Sequence, residues 1–240
     1  MASDRMQEPP DPLLHLQRSL QVSLSDDLLP DVGPAQPPSI AKEVIEISFP
    51  LLASPVKLSV DPSPGCGGVT WPAGEVLSQY IIRRGSLRNK TVVELGSGTG
   101  LVGLVAGLLE ANVCITDQQQ LLDLMLVNVA LNNLSHNVTA LELNWGEPLP
   151  LDLPAQPDLI LAADCVYFEP AFPLLVQTLS YLCTSSTTEV LFCYKKRRKA
   201  DRRFFALLKK KFSWIEVTDD PDREVYSKQA ISLLRLVKKS

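Results

Sequence analysis

The chain has 240 residues, 45% of them hydrophobic and 21% charged, with 19 Pro and 12 Gly, the composition of a folded globular protein rather than a disordered or fibrous one. A formal net charge of −4 and a pI near 5.3 argue against a general nucleic-acid binder, whose footprint is basic, so nucleic acid is not expected as a direct substrate. Nowhere do about 18 apolar residues run without interruption, so no membrane span is expected, and the acidic, proline-containing start "MASDRMQEPPDPLLHLQ" lacks the basic lead and apolar stretch of a secretory signal, which points to the cytoplasm.

Residues 1–40 carry seven prolines and little periodicity and are expected as a disordered leader, with one domain over 41–240. "EVIEISF" and "VKLSV" alternate apolar and polar side chains, the period of half-buried strands, and form a small amino-terminal β extension. "DPSPGCGG" reads as a turn. "TWPAGEVLSQYII" reads as a helix, with Pro72 suited to its first turn. Strand and helix then alternate. A strand over Thr91–Leu95 precedes a helix over Leu101–Leu109, and a strand over Val113–Thr116 precedes a helix through "QQQLLDLMLVNVALNNL". Further strands are expected at about Val138–Leu143 and Asp158–Ala163, a helix at about Ala171–Leu182, a strand at "EVLFCY" and a helix over Ala200–Phe212. "SWIEV" and "AISLLRLV" close the chain as two strands joined by a polar loop that includes "DDPDRE". Such alternation requires a mostly parallel α/β sheet with helices on both faces. A loop of roughly a dozen residues favours an antiparallel return, so a Rossmann-like sheet of seven strands with the last one reversed is expected.

"VVELGSGTGLVG" carries most of the chemical information. A buried strand runs into Gly96, Ser97, Gly98 and Gly100 and then into a helix, the arrangement that lets backbone amides approach a ligand. Gly98, Gly100 and Gly103 also satisfy G-x-G-x-x-G, which is weak alone. Dinucleotide-binding and methyl-donor folds both begin this way, and both place an acid at the end of the next strand for ribose hydroxyls; Asp117, 21 residues after Gly96, meets both. Alternatively Asp117 is a cap of the following helix. Glu94 separates the two readings, because a carboxylate there could steer the loop and attract the ammonium of S-adenosylmethionine, whereas it would repel a pyrophosphate. Trp145, just past the third strand, could offer adenine a flat face or be a core aromatic. "DLILAADCVYFEP" begins as a core strand and ends on Ala163, Asp164 and Tyr167, at the sheet edge where open α/β sheets bind ligands.

"VTWPAGEVLSQYI", "VVELGSGTGLVG", the "TD" at 116–117, "NWGEP", "LAADCVY" and "FCYKKR" together resemble, in this order and over about residues 60–215, the seven-strand protein lysine methyltransferases of methyltransferase family 16. "GCGGVTWPAGEVLSQYI" and "VELGSGTGLVGLVAGLL" look closest to the fungal-type enzymes that methylate translation elongation factor 1-alpha. The resemblance implies S-adenosylmethionine as cofactor and a protein lysine as acceptor. It places cofactor-binding roles on Trp71, the glycine loop, Asp117, Trp145 and Ala163, and a D-x-x-Y signature on Asp164 and Tyr167, expected to receive the lysine amine and to wall its channel. The N-P-P-Y-type motif of enzymes acting on adenine or glutamine is missing.

Two rival readings remain at this stage: a nicotinamide-dependent oxidoreductase, supported by the glycine spacing and Asp117, and a non-catalytic interaction protein on a methyltransferase fold. The run "KKRRKADRR", with seven basic residues in nine, is expected as a solvated face; alternatively it docks an acidic protein or RNA or serves as a nuclear import signal. The five cysteines form no C-x-x-C pair and read as small, mostly core residues. His15 and His136 lack metal-ligand spacing, so no metal is expected. The oligomeric state is left open, a monomer being one reading.

Overall fold

A computed structural model describes residues 43–63, 65–184, 187–197 and 201–239; the leader expected over residues 1–40 lies outside them. In chain order the elements are β1 (Glu43–Ile47), β2 (Val56–Val60), α1 (Pro72–Arg84), β3 (Thr91–Leu95), α2 (Leu101–Leu108), β4 (Asn112–Asp117), α3 (Gln119–Leu131), β5 (Val138–Glu142), β6 (Leu159–Ala163), α4 (Phe172–Leu182), β7 (Glu189–Lys195), α5 (Asp201–Leu208), β8 (Phe212–Glu216), α6 (Arg223–Lys228) and β9 (Ile231–Lys238).

β3 to β9 form a seven-stranded sheet in the order β5-β4-β3-β6-β7-β9-β8. β3 is parallel to β4 and β6, β4 to β5, and β6 to β7, while β9 runs antiparallel to both β7 and β8, as the short return predicts. The parallel strands are apolar on both faces because each face is covered. Val92, Leu159, Leu161, Leu191 and Cys193 pack into one core cluster with α1, α2 and the β1-β2 hairpin. Val93, Ile160, Ala162, Val190 and Phe192 point the other way, toward α4 and α5. The order reverses at β3: the chain winds outward through β4 and β5, then crosses to β6 on the other side. The crevice above the carboxyl ends of β3 and β6 is therefore where this topology accepts a ligand.

The β1-β2 hairpin is a separate two-stranded sheet with Glu43 opposite Val60 and Ile47 opposite Val56. Such a ribbon is marginal alone, and side-chain amides complete the outer edge of β2. Asn128 accepts from the Ser59 N–H at 2.6 Å and donates back to the Ser59 carbonyl at 3.0 Å. Asn132, four residues on, repeats the exchange with Lys57 at 3.0 and 2.7 Å. Residues four apart on a helix share a face, and residues two apart on a strand point their backbone groups the same way, so the two asparagines act as a substitute strand. Asn128 also donates to the Thr99 carbonyl at 2.9 Å, which ties the hairpin to the glycine loop.

Two boundaries differ from the sequence expectation. The helix expected to end at Phe212 stops at Leu208, and Phe212 opens β8, where its fully buried ring belongs to the sheet core. The polar loop between the last two strands contains α6. Six residues are too few to nucleate a helix alone; this one is fixed by the buried Tyr226 and by Arg83, which bonds Asp220 at 2.7 Å and Asp222 at 2.5 Å immediately before it.

Candidate active site

The loop after β3 turns sharply under its glycines, with positive φ at Gly96 (60°), Gly98 (57°) and Gly100 (83°). Gly98 needs both the conformation and the missing side chain: a Cβ there would lie 2.6 Å from the Gly67 carbonyl oxygen, because the segment around Cys66–Gly68 crosses directly over the loop. Ser97, expected to touch cofactor, is buried and works inward. Its hydroxyl accepts from the Thr116 N–H at 2.9 Å, and its own N–H donates to the Thr116 carbonyl at 3.0 Å, fastening the loop to β4.

Asp117, at the carboxyl end of β4, accepts from the Gly98 N–H at 2.7 Å through Oδ2 and from the Gln118 N–H at 2.8 Å through Oδ1. Burial pushes its carboxyl above the ordinary range, while these two amides pull it back. A carboxylate has about four acceptor positions, so roughly two remain for a pair of hydroxyls. Trp145 lies against the loop from the other side, its ring 2.9 Å from where a Cβ on Gly96 would stand. The Gly96 backbone and the indole therefore frame a flat apolar face beside an acid with spare acceptor capacity. These are the requirements of a nucleoside's base and ribose, and the residues present fit S-adenosylmethionine.

Glu94, expected to steer the loop and attract a ligand ammonium, lies beneath the loop. Its position in β3 sends it to the same face as Val92, under the loop, where it is 2% exposed and accepts from the Gly103 N–H at 2.9 Å. Through this bond it braces the start of α2. Burial lifts its pKa to about 8. Between the ordinary carboxylate value and about 8 the folded protein keeps this proton while the unfolded chain has released it, so Glu94's contribution to stability falls as pH rises through that window. Glu94→Gln, which keeps an oxygen for Gly103, is expected to flatten the decline of Tm between pH 5 and 8, since in the wild type this group lowers the unfolding free energy by at most about 1.4 kcal/mol per pH unit. Parallel melting curves would refute it.

Trp71 caps α1 and donates from Nε1 to the Cys66 carbonyl at 2.8 Å. Tyr167, half-buried, pairs with the Cys66 thiol, and burial drives both groups upward in pKa. Ala163 ends β6 beside Cys193 of β7. Asp164 follows in the left-handed region with φ of 56°, a conformation that aspartate adopts more readily than most residues other than glycine. Its carboxylate is buried and accepts from the Lys195 N–H at 2.9 Å and from both terminal nitrogens of Arg197, each at 2.9 Å.

The expected site residues therefore converge on the carboxyl ends of β3, β4 and β6, with Glu94 and Ser97 beneath them. Cys66, Gly67 and Arg197 belong to the same place and are not singled out by sequence reasoning. The basic run is not uniformly solvated, because Arg197 turns inward, Asp201 accepts from the Arg197 N–H at 2.9 Å and Arg203 pairs with Glu169; residues 198–200 lie outside the described residues. A groove of about 430 Å³ lies away from this crevice, between the β1-β2 turn and the carboxyl ends of α2 and α3. Its lining, including Leu52, Pro55, Lys57 and Asn132, lacks a carboxylate.

Residues 53–211 match the model of a family described as lysine methyltransferase. The chain belongs to the lysine methyltransferase family. It is 44% identical over 203 residues to the protein-lysine N-methyltransferase EFM6 of Saccharomyces cerevisiae, covering 73% of this chain and 82% of the relative. Over 188 residues it is 40% identical to the protein N-lysine methyltransferase METTL21A of Danio rerio, covering 76% and 86%. In fold it resembles the 16S rRNA N2 G1207 methyltransferase RsmC of T. thermophilus in complex with AdoMet and guanosine, with a TM-score of 0.60, 16% identity and coverage of 85% of this chain and 53% of that one. The ribosomal protein L11 methylase of Lactobacillus delbrueckii gives a TM-score of 0.52 at 20% identity, covering 72% and 81%. The methyltransferase is thus an S-adenosylmethionine-dependent enzyme acting on protein lysine, and the nicotinamide and non-catalytic readings are set aside.

Proposed function

We propose that this methyltransferase modifies a lysine of translation elongation factor 1-alpha, with Asp164 receiving the lysine amine and Tyr167 walling its channel. The single observation that carries the site assignment is the placement of Asp164: a buried carboxylate immediately after β6, at the switch point of the sheet, next to the residues that suit a nucleoside. For the protein acted upon, support comes from "GCGGVTWPAGEVLSQYI" and "VELGSGTGLVGLVAGLL", which resemble the fungal-type enzymes acting on this factor. The 44% identity to a yeast lysine methyltransferase agrees with that resemblance.

S-adenosylmethionine supplies a methyl group already activated by its sulfonium. The protein's task is to align an amine with it. Asp117 would hold the ribose with its two remaining acceptor positions and Trp145 would cover the base. Trp71 and Ala163 would shape the passage between donor and acceptor. A lysine with an ordinary pKa near 10.4 is neutral in only about one side chain in a thousand at pH 7, so the amine must shed a proton on entry. Transfer out of water favours the neutral form. Asp164 accepts one N–H of the neutral amine, which leaves the nitrogen lone pair free to point at the methyl carbon, and the released proton goes to water.

Incubating the purified protein with labelled donor and an extract from cells lacking it is expected to label one dominant band at elongation factor 1-alpha. Purified factor with single Lys→Arg changes should lose the label at one position. A dominant band elsewhere, with unlabelled elongation factor, would overturn the substrate assignment. We also propose that the enzyme works in the cytoplasm as a monomer, the latter checked by light scattering.

A further inference from the structure

Arg197 turns away from the rest of the basic run and is held from four directions. Its Nη1 and Nη2 donate to the two carboxylate oxygens of Asp164 at 2.9 Å each, and the side chains are only 9% and 4% exposed. Its backbone N–H donates to Oδ2 of Asp201 at 2.9 Å, and its guanidinium carbon sits 5.3 Å from the centre of the Trp71 ring. Nη1 also approaches the Lys195 carbonyl at 3.5 Å. A two-pronged, buried grip of this kind is among the stronger polar contacts in proteins, and opening it strands a charge out of water. The geometry describes a resident partner rather than a cation waiting to be displaced.

The grip uses up most of Asp164. Oδ1 takes both the Lys195 N–H and Nη1, and Oδ2 takes Nη2. Of about four acceptor positions on a carboxylate, three are filled, and the last lies on Oδ2. We infer that Arg197 is a positioning residue for methyl transfer: its fork fixes the plane of the Asp164 carboxylate and leaves one lone pair of Oδ2 as the place where the substrate amine is received. The inference rests on the reading of Asp164 as the amine's acceptor. It adds an account of direction, since a carboxylate free to rotate would present any of its lone pairs, while one locked in the fork presents a single one. The paired guanidinium also offsets the carboxylate's charge, so the nitrogen meets a directed acceptor rather than a bare anion.

The test is a double-mutant cycle on kcat. Arg197→Ala is expected to lower kcat about 100-fold, the scale of a small misplacement of a reacting group, while calorimetry shows unchanged affinity for S-adenosylhomocysteine. In an Asp164→Asn background, measured by single-turnover labelling, the same change should lower kcat no further, because Arg197 acts through Asp164. Arg197→Lys keeps the charge but cannot grip both oxygens, and it should fail to restore the rate. If the alanine variant does not fold, as a missing thermal shift with S-adenosylhomocysteine would show, the lysine variant carries the cycle. Equal losses in both backgrounds would overturn the inference, since a packing role beneath Trp71 would produce them. Full rate in Arg197→Lys would overturn it too, as would a variant faster than wild type, which would mean that the guanidinium occupies the amine's own place. If instead Asp164→Asn alone turns over like wild type, the failure lies in the acceptor reading and not in Arg197.

Discussion

Asp164→Asn is expected to lower kcat by about 1000-fold, within the range of contributions from one group that handles a proton-bearing reactant, while S-adenosylhomocysteine binds nearly as well as to wild type. The reason is the separation of tasks along the sheet edge. In the proposed site the ribose and base fall to Asp117 of β4 and Trp145 after β5, beside the glycine loop after β3, whereas Asp164 follows β6. An amide at this position keeps the shape but loses the charge and turns an NH2 toward either Arg197 or the Lys195 N–H, both of which are donors. Removing one partner of a buried pair costs about 3–5 kcal/mol of stability, so the melting temperature should fall as well. Calorimetry with S-adenosylhomocysteine separates the two effects, because only the folded protein binds it. Wild-type turnover in the variant would end the assignment of Asp164.

Asp117→Ala is expected to do the reverse. Affinity for S-adenosylhomocysteine should fall about 100-fold or more, since two hydrogen bonds to a charged group contribute about 1.5–3 kcal/mol each and every 1.4 kcal/mol is tenfold. The change also deprives the Gly98 N–H of its partner at 2.7 Å, which loosens the loop that the donor must meet. At saturating donor, kcat should recover much more than in Asp164→Asn. Isothermal titration measures the first effect and initial rates at high donor concentration the second. Unchanged affinity would place the ribose elsewhere.

The glycine loop was legible because its constraint is local. A strand must turn into a helix within five residues, and glycines at 96, 98 and 100 are what that turn requires. Asp117 was legible for the same reason, since the spacing from strand to strand is fixed by one helix. Glu94 was harder, although a signal existed. Strand alternation puts it on the face of Val92, and Gly103 leaves room for its carboxylate, a Cβ there falling 2.7 Å from Oε2.

What the sequence alone determined was the alternation of apolar strands and helices, the family motifs and the set of side chains that gather at one sheet edge, because each depends on residues close together in the chain. The tertiary structure decided which of those side chains face the crevice and which lie beneath it. It also paired Asp164 with Arg197, 33 residues apart. Their partnership follows from β6 and β7 lying side by side, and a basic run read along the chain looks solvated until the neighbouring strand places a buried carboxylate within its reach. The physical reason is that sheet order and burial are set by long-range packing, which no local spacing encodes.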